Sequence, residues 1–145
     1  MKPAENELTF EDFPLDEGIL AGVRAAGFKV PSPIQALAIP EALAGKDIIG
    51  QAHTGTGKTA AFGLPLMSRL TREGGVEIVV IPPSRELAGQ VSDEMFRLGK
   101  SAGVKTTVVY GGQGYAGQIK MINGGAHVLV APTSSKQSHR WGLHG

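Results

Sequence analysis

The sequence predicts an α/β fold, a parallel sheet with flanking helices. Four short runs rich in β-branched residues, 47–52, 77–81, 106–110 and 127–131, alternate with segments of helical periodicity. Each run is nearly continuous in apolar residues, the pattern of strands covered on both faces. A glycine-rich loop ending in Lys-Thr joins the first run to the helical segment behind it. Strands alternating with helices imply right-handed βαβ units. The 145 residues are the size of one domain, long enough to bury roughly two thirds of the unfolded surface. With 41% hydrophobic and 19% charged residues the mix is globular.

Two helical patterns precede the first strand. Residues 15–26 place Leu15, Ile19, Leu20 and Val23 on one face, and Gly27 can close the end. Ser32 stands as an N-cap with Pro33 at the first helical position, giving a helix to about Ala44 with Gly45 just beyond. The first strand is Asp47–Ala52, and a helix runs from Lys58 to about Arg72. The second strand, Glu77–Ile81, leads into a helix from Ser84 to about Ala102. The third strand is Thr106–Tyr110, a shorter helix covers roughly Tyr115–Ile122, and the fourth strand is His127–Ala131. No internal repeat or low-complexity linker interrupts residues 1–131. Residues 132–145 follow neither period and hold half of the histidines and the only tryptophan. They read as a divergent, disordered tail.

Composition excludes several classes. There is no cysteine, hence no disulfide scaffold and no thiolate metal site, which fits a reducing compartment. No apolar run approaches the roughly 20 residues that cross a bilayer. The acidic opening lacks the apolar stretch of a signal peptide. The expectation is a cytoplasmic protein with no membrane partner. His53, His127, His139 and His144 show no metal-ligand spacing. The net charge of +1 is unevenly spread. Residues 1–17 set Lys2 against six carboxylates, and residues 18–94 balance seven bases with seven acids. Residues 95–145 hold Arg97, Lys100, Lys105, Lys120, Lys136 and Arg140 with no acid. A basic half faces either a polyanion or plain solvent, and charge alone leaves both open.

Ala52-His53-Thr54-Gly55-Thr56-Gly57-Lys58-Thr59 lies between a predicted strand and a predicted helix, the context a phosphate-binding P-loop requires. Glycines at 55 and 57 let the backbone turn sharply and bring N–H groups to an anion, and the helix N-terminus adds its dipole. Lys58 would reach the β- and γ-phosphates and Thr59 would offer its hydroxyl to Mg²⁺. Ala52 replaces the first glycine of the strict pattern. Residues 55–60 also fit G-x-G-x-x-A of dinucleotide-binding folds, but the next strand ends in Ile81-Pro82-Pro83 rather than an acid for the ribose, which excludes that reading.

Upstream stands Gly27-Phe28-Lys29-Val30-Pro31-Ser32-Pro33-Ile34-Gln35. A glutamine amide can pair with N6 and N7 of adenine, and a phenylalanine can stack on the ring. From this segment alone, Gln35 reads rather as a solvated first-turn residue and Phe28 as a core residue.

Gly-Phe-x-x-Pro-x-x-Ile-Gln followed by Ala-x-Thr-Gly-x-Gly-Lys-Thr resembles the Q motif and motif I of DEAD-box RNA helicases, which use the Ala52 variant of the loop. Pro83-Ser84-Arg85-Glu86-Leu87-Ala88, with Gln90, resembles motif Ia, with serine for the usual threonine. Gly111-Gly112 resembles the glycine pair that follows, and Phe10 lies 17 residues before Gly27, where the family carries an isolated aromatic. The resemblance covers roughly residues 8–131. It implies a P-loop RecA-like parallel sheet with flanking helices, incomplete at the C-terminal end. It further implies that Phe28 and Gln35 hold adenine with support from Phe10, and that residues 52–59 hold the phosphates of ATP with Mg²⁺ at Thr59. Lys58 and Thr59 would be the catalytic pair. Pro83, Ser84, Arg85 and the Gly111-Gly112 backbone would contact RNA phosphates, binding independently of sequence and sensitively to salt. Read without the family, Ser84 is an N-cap, Arg85 a solvated first-turn residue and Gly-Gly a turn.

After Ala131 the family continues Thr-Pro-Gly-Arg, where this sequence has Pro132-Thr133-Ser134. No Asp-Glu-Ala-Asp, no Ser-Ala-Thr and no second RecA-like domain follows. The expectation is therefore residues 1–131 as a partial first RecA-like ATP-binding domain and residues 132–145 as the tail, whether from a shifted frame, an appended tail or a native ending. The Asp and Glu of the missing motif hold Mg²⁺ and position water, so hydrolysis and unwinding are expected to be lost. A sheet without its central strand would be of low stability. The alternative is a non-catalytic module that binds adenine nucleotide, RNA or both. A third reading is a different P-loop class, a GTPase or a small-molecule kinase; a GTPase would need an N-K-x-D segment, which these residues lack, and the Gln35 segment also argues against it.

Overall fold

The structure, a computed structural model, describes residues 8–47, 57–110 and 125–133. The expected first strand at 47–52 beyond Asp47, the short helix at 115–122 and the tail from Ser134 onward fall outside them. The chain divides into two units, residues 1–69 with 97–103, and residues 70–96 with 104–145.

The first unit is helical. A 3-10 turn at Phe10–Asp12 opens it, with Thr9 and Asp12 exchanging capping hydrogen bonds. Helix α1, Glu17–Ala25, starts where Asp16 accepts the Gly18 N–H at 3.0 Å. It ends as expected, with Gly27 at φ +81. The predicted face is buried: Leu15, Ile19, Leu20 and Val23 are each at most 8% exposed. Helix α1 packs on the 3-10 turn Lys100–Ala102. The approach is close enough that a Cβ on Gly22 would overlap the Leu98 carbonyl oxygen. Helix α2, Pro33–Leu43, packs on α3, Lys58–Ser68. Ile39, Ala60, Ala61, Leu64 and Met67 lie in this unit's core.

Helix α3 stops four residues short of its expected end. Past Ser68 the backbone turns, with Arg72 at φ +60. The Glu77 carboxylate accepts the Thr71 N–H at 3.0 Å and the Arg72 N–H at 2.9 Å. An anion captured by consecutive N–H groups competes with helix continuation.

The second unit is a three-stranded parallel sheet in the order β1-β3-β2, where β1 is Ile78–Val80, β2 Thr106–Val108 and β3 Val128–Val130. Val128 pairs with Ile78 on one side and Thr106 on the other. The strands are shorter than their apolar runs, but bonds from Ala131 N–H to Val80 and from Val109 N–H to Val130 continue the pairing beyond them. Burial on both faces fails at β1: Ile78 is buried, whereas Val79 is 57% and Ile81 60% exposed. β-Branched residues favour a strand whichever face they occupy, so the run reports the strand and not how many faces are covered. Helix α4, Arg85–Gly99, leaves this sheet with Ser84 as its N-cap and continues as the 3-10 turn to Ala102. The first two residues of the expected tail are anchored: Pro132 is buried and Thr133 donates its N–H to Pro82 at 2.9 Å. Among the described residues no helix is long and apolar enough to cross a membrane.

Candidate functional site

The first four N–H groups of a helix have no partner within it. At α2, where Pro33 has no N–H to offer, a reciprocal pair meets two of them. Ser32 N–H donates to Gln35 Oε1 at 2.8 Å, and Gln35 N–H donates to Ser32 Oγ at 3.4 Å. Gln35 is only 5% exposed. Its Nε2 donates to the Gly57 carbonyl at 3.2 Å, so the amide ties the start of α2 to the start of α3. Gly57 is the N-cap of α3 at φ +85, a backbone state that favours glycine. A Cβ there would also overlap Gln35 Nε2. Lys58, the first residue of α3, is exposed, and Thr59 beside it is half-buried. Lys46 and Lys58 join Ile34, Ala38, Ala61 and Phe62 in lining an open groove of about 520 Å³. This groove combines an apolar wall, the Lys58 ammonium, a Lys46 ammonium paired with Glu41 at 3.0 Å, the Asp47 carboxylate and a helix N-terminus.

Phe10 and Phe28 form a second cluster. Phe10 is 2% exposed and its N–H donates to the Lys29 carbonyl at 3.2 Å. Its ring stacks on Phe28 with centroids 5.9 Å apart and meets Phe13 edge-on at 5.9 Å. A cleft of about 350 Å³ beside them is lined by Gly27, Val30, Glu11 and Arg24 as well as the two rings. The Arg24 guanidinium bonds Glu11 at 2.6 Å and Glu17 at 2.8 Å. These carboxylates, Glu11 first, raise the Arg24 pKa above its ordinary value. Among the described residues no hydrogen bond or ring contact joins the aromatic pair to Gln35.

In the second unit, Ser84 Oγ accepts the Leu87 N–H at 3.1 Å, so Ser84 is the N-cap it resembled. Arg85 is exposed on the first turn of α4, with its guanidinium carbon 4.8 Å from the Tyr110 ring centroid. Pro83 is exposed beside them. Ala52, His53, Thr54, Gly55, Thr56, Gly111 and Gly112 lie outside the described residues. Among those described, no group of three His, Asp or Glu could hold a metal ion. Sequence reasoning passed over two contacts. The Ser32–Gln35 pair was legible as Ser-x-x-Gln at a helix start. The Tyr110–Arg85 contact spans 25 positions and leaves no local signal.

A family model described as DEAD/DEAH box helicase matches residues 32–141. The chain belongs to the DEAD/DEAH box helicase family. The match begins at the Ser32 cap and runs past Ala131 into the segment read as a tail. The DEAD-box ATP-dependent RNA helicase RhpA of Helicobacter pylori is 47% identical over 136 residues, 94% of this chain and 28% of the relative. CshA of Streptococcus pneumoniae, named likewise, is 51% identical over 124 residues, 85% of this chain and 24% of the relative. This chain thus spans about a quarter of the length of these DEAD-box relatives. A solved DEAD box protein from the hyperthermophile Methanococcus jannaschii superposes with a TM-score of 0.82 at 36% identity, covering 92% of this chain and 37% of that one. The α/β architecture is accordingly the P-loop RecA-like one of DEAD-box helicases, with a parallel sheet and flanking helices.

Proposed function

We propose that this chain is the nucleotide-binding front of an ATP-dependent RNA helicase. In this reading Gln35 and Phe28 select adenine, with Phe10 beneath Phe28. Residues 52–59 hold the phosphates, with Lys58 on the terminal ones. Pro83, Ser84, Arg85 and the Gly111-Gly112 backbone meet the RNA backbone. Mg²⁺, entering with the nucleotide, would neutralise phosphate charge, and the Thr59 hydroxyl is the oxygen ligand offered to it.

The hydrogen-bond capacity of Gln35 carries the reading. Its amide has two N–H donors and an oxygen with two lone pairs. Among the described residues, Gly57 takes one donor and Ser32 one lone pair. One donor and one acceptor remain. That is the complement of adenine, which offers N7 as acceptor and N6 as donor. Guanine offers two acceptors, O6 and N7, and would set its O6 against the amide oxygen. The relatives' printed names, ATP-dependent RNA helicases, agree with an adenine nucleotide.

The test is nucleotide titration of the wild type and Gln35→Ala. ATP affinity should fall by roughly tenfold, the low-to-middle range for one bidentate base contact, and GTP affinity should change much less. Equal losses for ATP and GTP would remove Gln35 from base selection. The 145 residues contain no Asp-Glu-Ala-Asp run, and for these residues alone the reading is binding without turnover. RNA-stimulated phosphate release should be absent. Release that Lys58→Ala abolishes would refute that part.

A further inference from the structure

Tyr110 belongs to none of the motifs quoted above. Its ring nevertheless receives the Arg85 guanidinium, with the charged carbon 4.8 Å from the ring centroid. Both residues lie in the same unit. The ring extends along the start of α4. A Cβ on Gly89, one turn beyond Arg85, would stand 3.8 Å from the Tyr110 hydroxyl oxygen. Among the described residues no carboxylate pairs with Arg85.

A guanidinium placed over an aromatic ring is held by cation–π attraction. Its N–H donors form a planar fork that matches the two oxygens of a phosphate, and the attraction to the ring uses none of them as a hydrogen bond. An arginine on an exposed first turn would otherwise lose rotamer freedom each time it engaged a ligand. With the Arg85 backbone fixed behind the Ser84 cap, the ring supplies the remaining constraint. We infer that Tyr110 is a positioning residue for RNA-backbone binding, holding the Arg85 guanidinium on its ring with the N–H edge presented to phosphate. The inference rests on the reading of Arg85 as a backbone contact.

The experiment is fluorescence anisotropy of a labelled single-stranded oligouridylate titrated with the 145-residue chain over a series of salt concentrations. The variants are Arg85→Ala, Tyr110→Phe, Tyr110→Leu and Arg85→Ala combined with Tyr110→Leu. Arg85→Ala should weaken binding and flatten the salt slope by about 0.7, one phosphate contact on a single strand. Tyr110→Leu should weaken binding roughly threefold, the scale of an exposed cation–π contact, and should have no effect once Arg85 is gone. Tyr110→Phe keeps the ring face and should lose less than Tyr110→Leu. If Tyr110→Leu costs the same with and without Arg85, the ring does not act through Arg85 and the inference fails. If Arg85→Ala weakens binding but Tyr110→Leu does not, the inference fails while the reading of Arg85 stands. If Arg85→Ala changes neither affinity nor slope, both fail. A readout independent of variant folding is the Arg85 Nε–H proton of the wild type. Ring current should move it upfield, and an ordinary arginine shift would overturn the contact.

Discussion

Gln35→Ala is the sharpest probe of how the site is held together before any ligand arrives. The substitution removes two bonds, Ser32 N–H to Oε1 at 2.8 Å and Nε2 to the Gly57 carbonyl at 3.2 Å. The Gly57 carbonyl keeps a partner, because it also accepts the Ala61 N–H at 3.0 Å. The Gln35 backbone N–H keeps Ser32 Oγ. Ser32 N–H is the group that loses its partner. Two neutral hydrogen bonds at about 1 kcal/mol each give a loss of about 2 kcal/mol, of which the better helix propensity of alanine returns a few tenths. For a chain of this size that is a fall in Tm of roughly 4–8 °C. Thermal and urea unfolding followed by far-ultraviolet circular dichroism would measure it.

The control separates hydrogen bonding from packing. Gln35 is almost fully buried, so part of the alanine effect could come from lost volume. Gln35→Met keeps length and bulk but removes both polar ends, and should lose nearly as much as alanine. The reasoning is refuted if Met restores wild-type stability, or if Ala melts within about 1 °C of the wild type.

Two glycines should respond oppositely to alanine. Gly22→Ala drives a Cβ into the Leu98 carbonyl and should destabilise by about 1–3 kcal/mol, whereas Gly89→Ala meets only Tyr110 Oη at ordinary contact and should stabilise by up to about 1 kcal/mol; urea midpoints of the two variants decide. The Thr106 hydroxyl oxygen is buried without a partner among the described residues, so Thr106→Val should gain about 1 kcal/mol in the same assay. The Glu77 pKa lies below the ordinary carboxylate value because the Thr71 N–H, and then the Arg72 N–H, bond its charged form. A depressed folded pKa contributes stability above the unfolded value and loses it as pH falls through the folded one. The stability gap between wild type and Glu77→Gln should therefore be open at neutral pH and close in acid, and a gap that stays constant through that range would contradict the clasp.

The sequence was most legible where one residue answers to one local rule. The face Leu15, Ile19, Leu20 and Val23 follows from helical spacing, and all four are buried. The Ser32 and Ser84 caps follow from hydroxyls placed before helical runs, and both accept an N–H where expected. Legibility failed where a distant group intervened. The end of α3 depends on Glu77, nine residues beyond Ser68, and nothing within the helical run announces it. The exposure of Val79 and Ile81 depends on what covers one face of β1, which alternation cannot report in an unbroken apolar run. Past Ala131, where periodicity ends, Thr133 donates its N–H to the Pro82 carbonyl. Irregular backbone held by hydrogen bonds has no period to read.

Gly57 shows how the parts of the site constrain one another. The sequence predicts a glycine that turns the backbone sharply here and brings N–H groups close to phosphate. Two demands on this residue involve no phosphate, the turn itself and a side-chain contact. The residue sits at φ +85, where an L side chain costs roughly 1–2 kcal/mol. The space its Cβ would fill is held by Gln35 Nε2, which also bonds its carbonyl. The first demand is local to the α3 cap; the second ties the α3 start to a residue 22 positions earlier. A larger residue at 57 would therefore displace the Gln35 amide and with it the Ser32 cap of α2. The segments proposed to read the base and to hold the phosphates thus meet through one hydrogen bond between paired helix starts. A substitution at position 57 should be felt in adenine selection as well as in phosphate affinity.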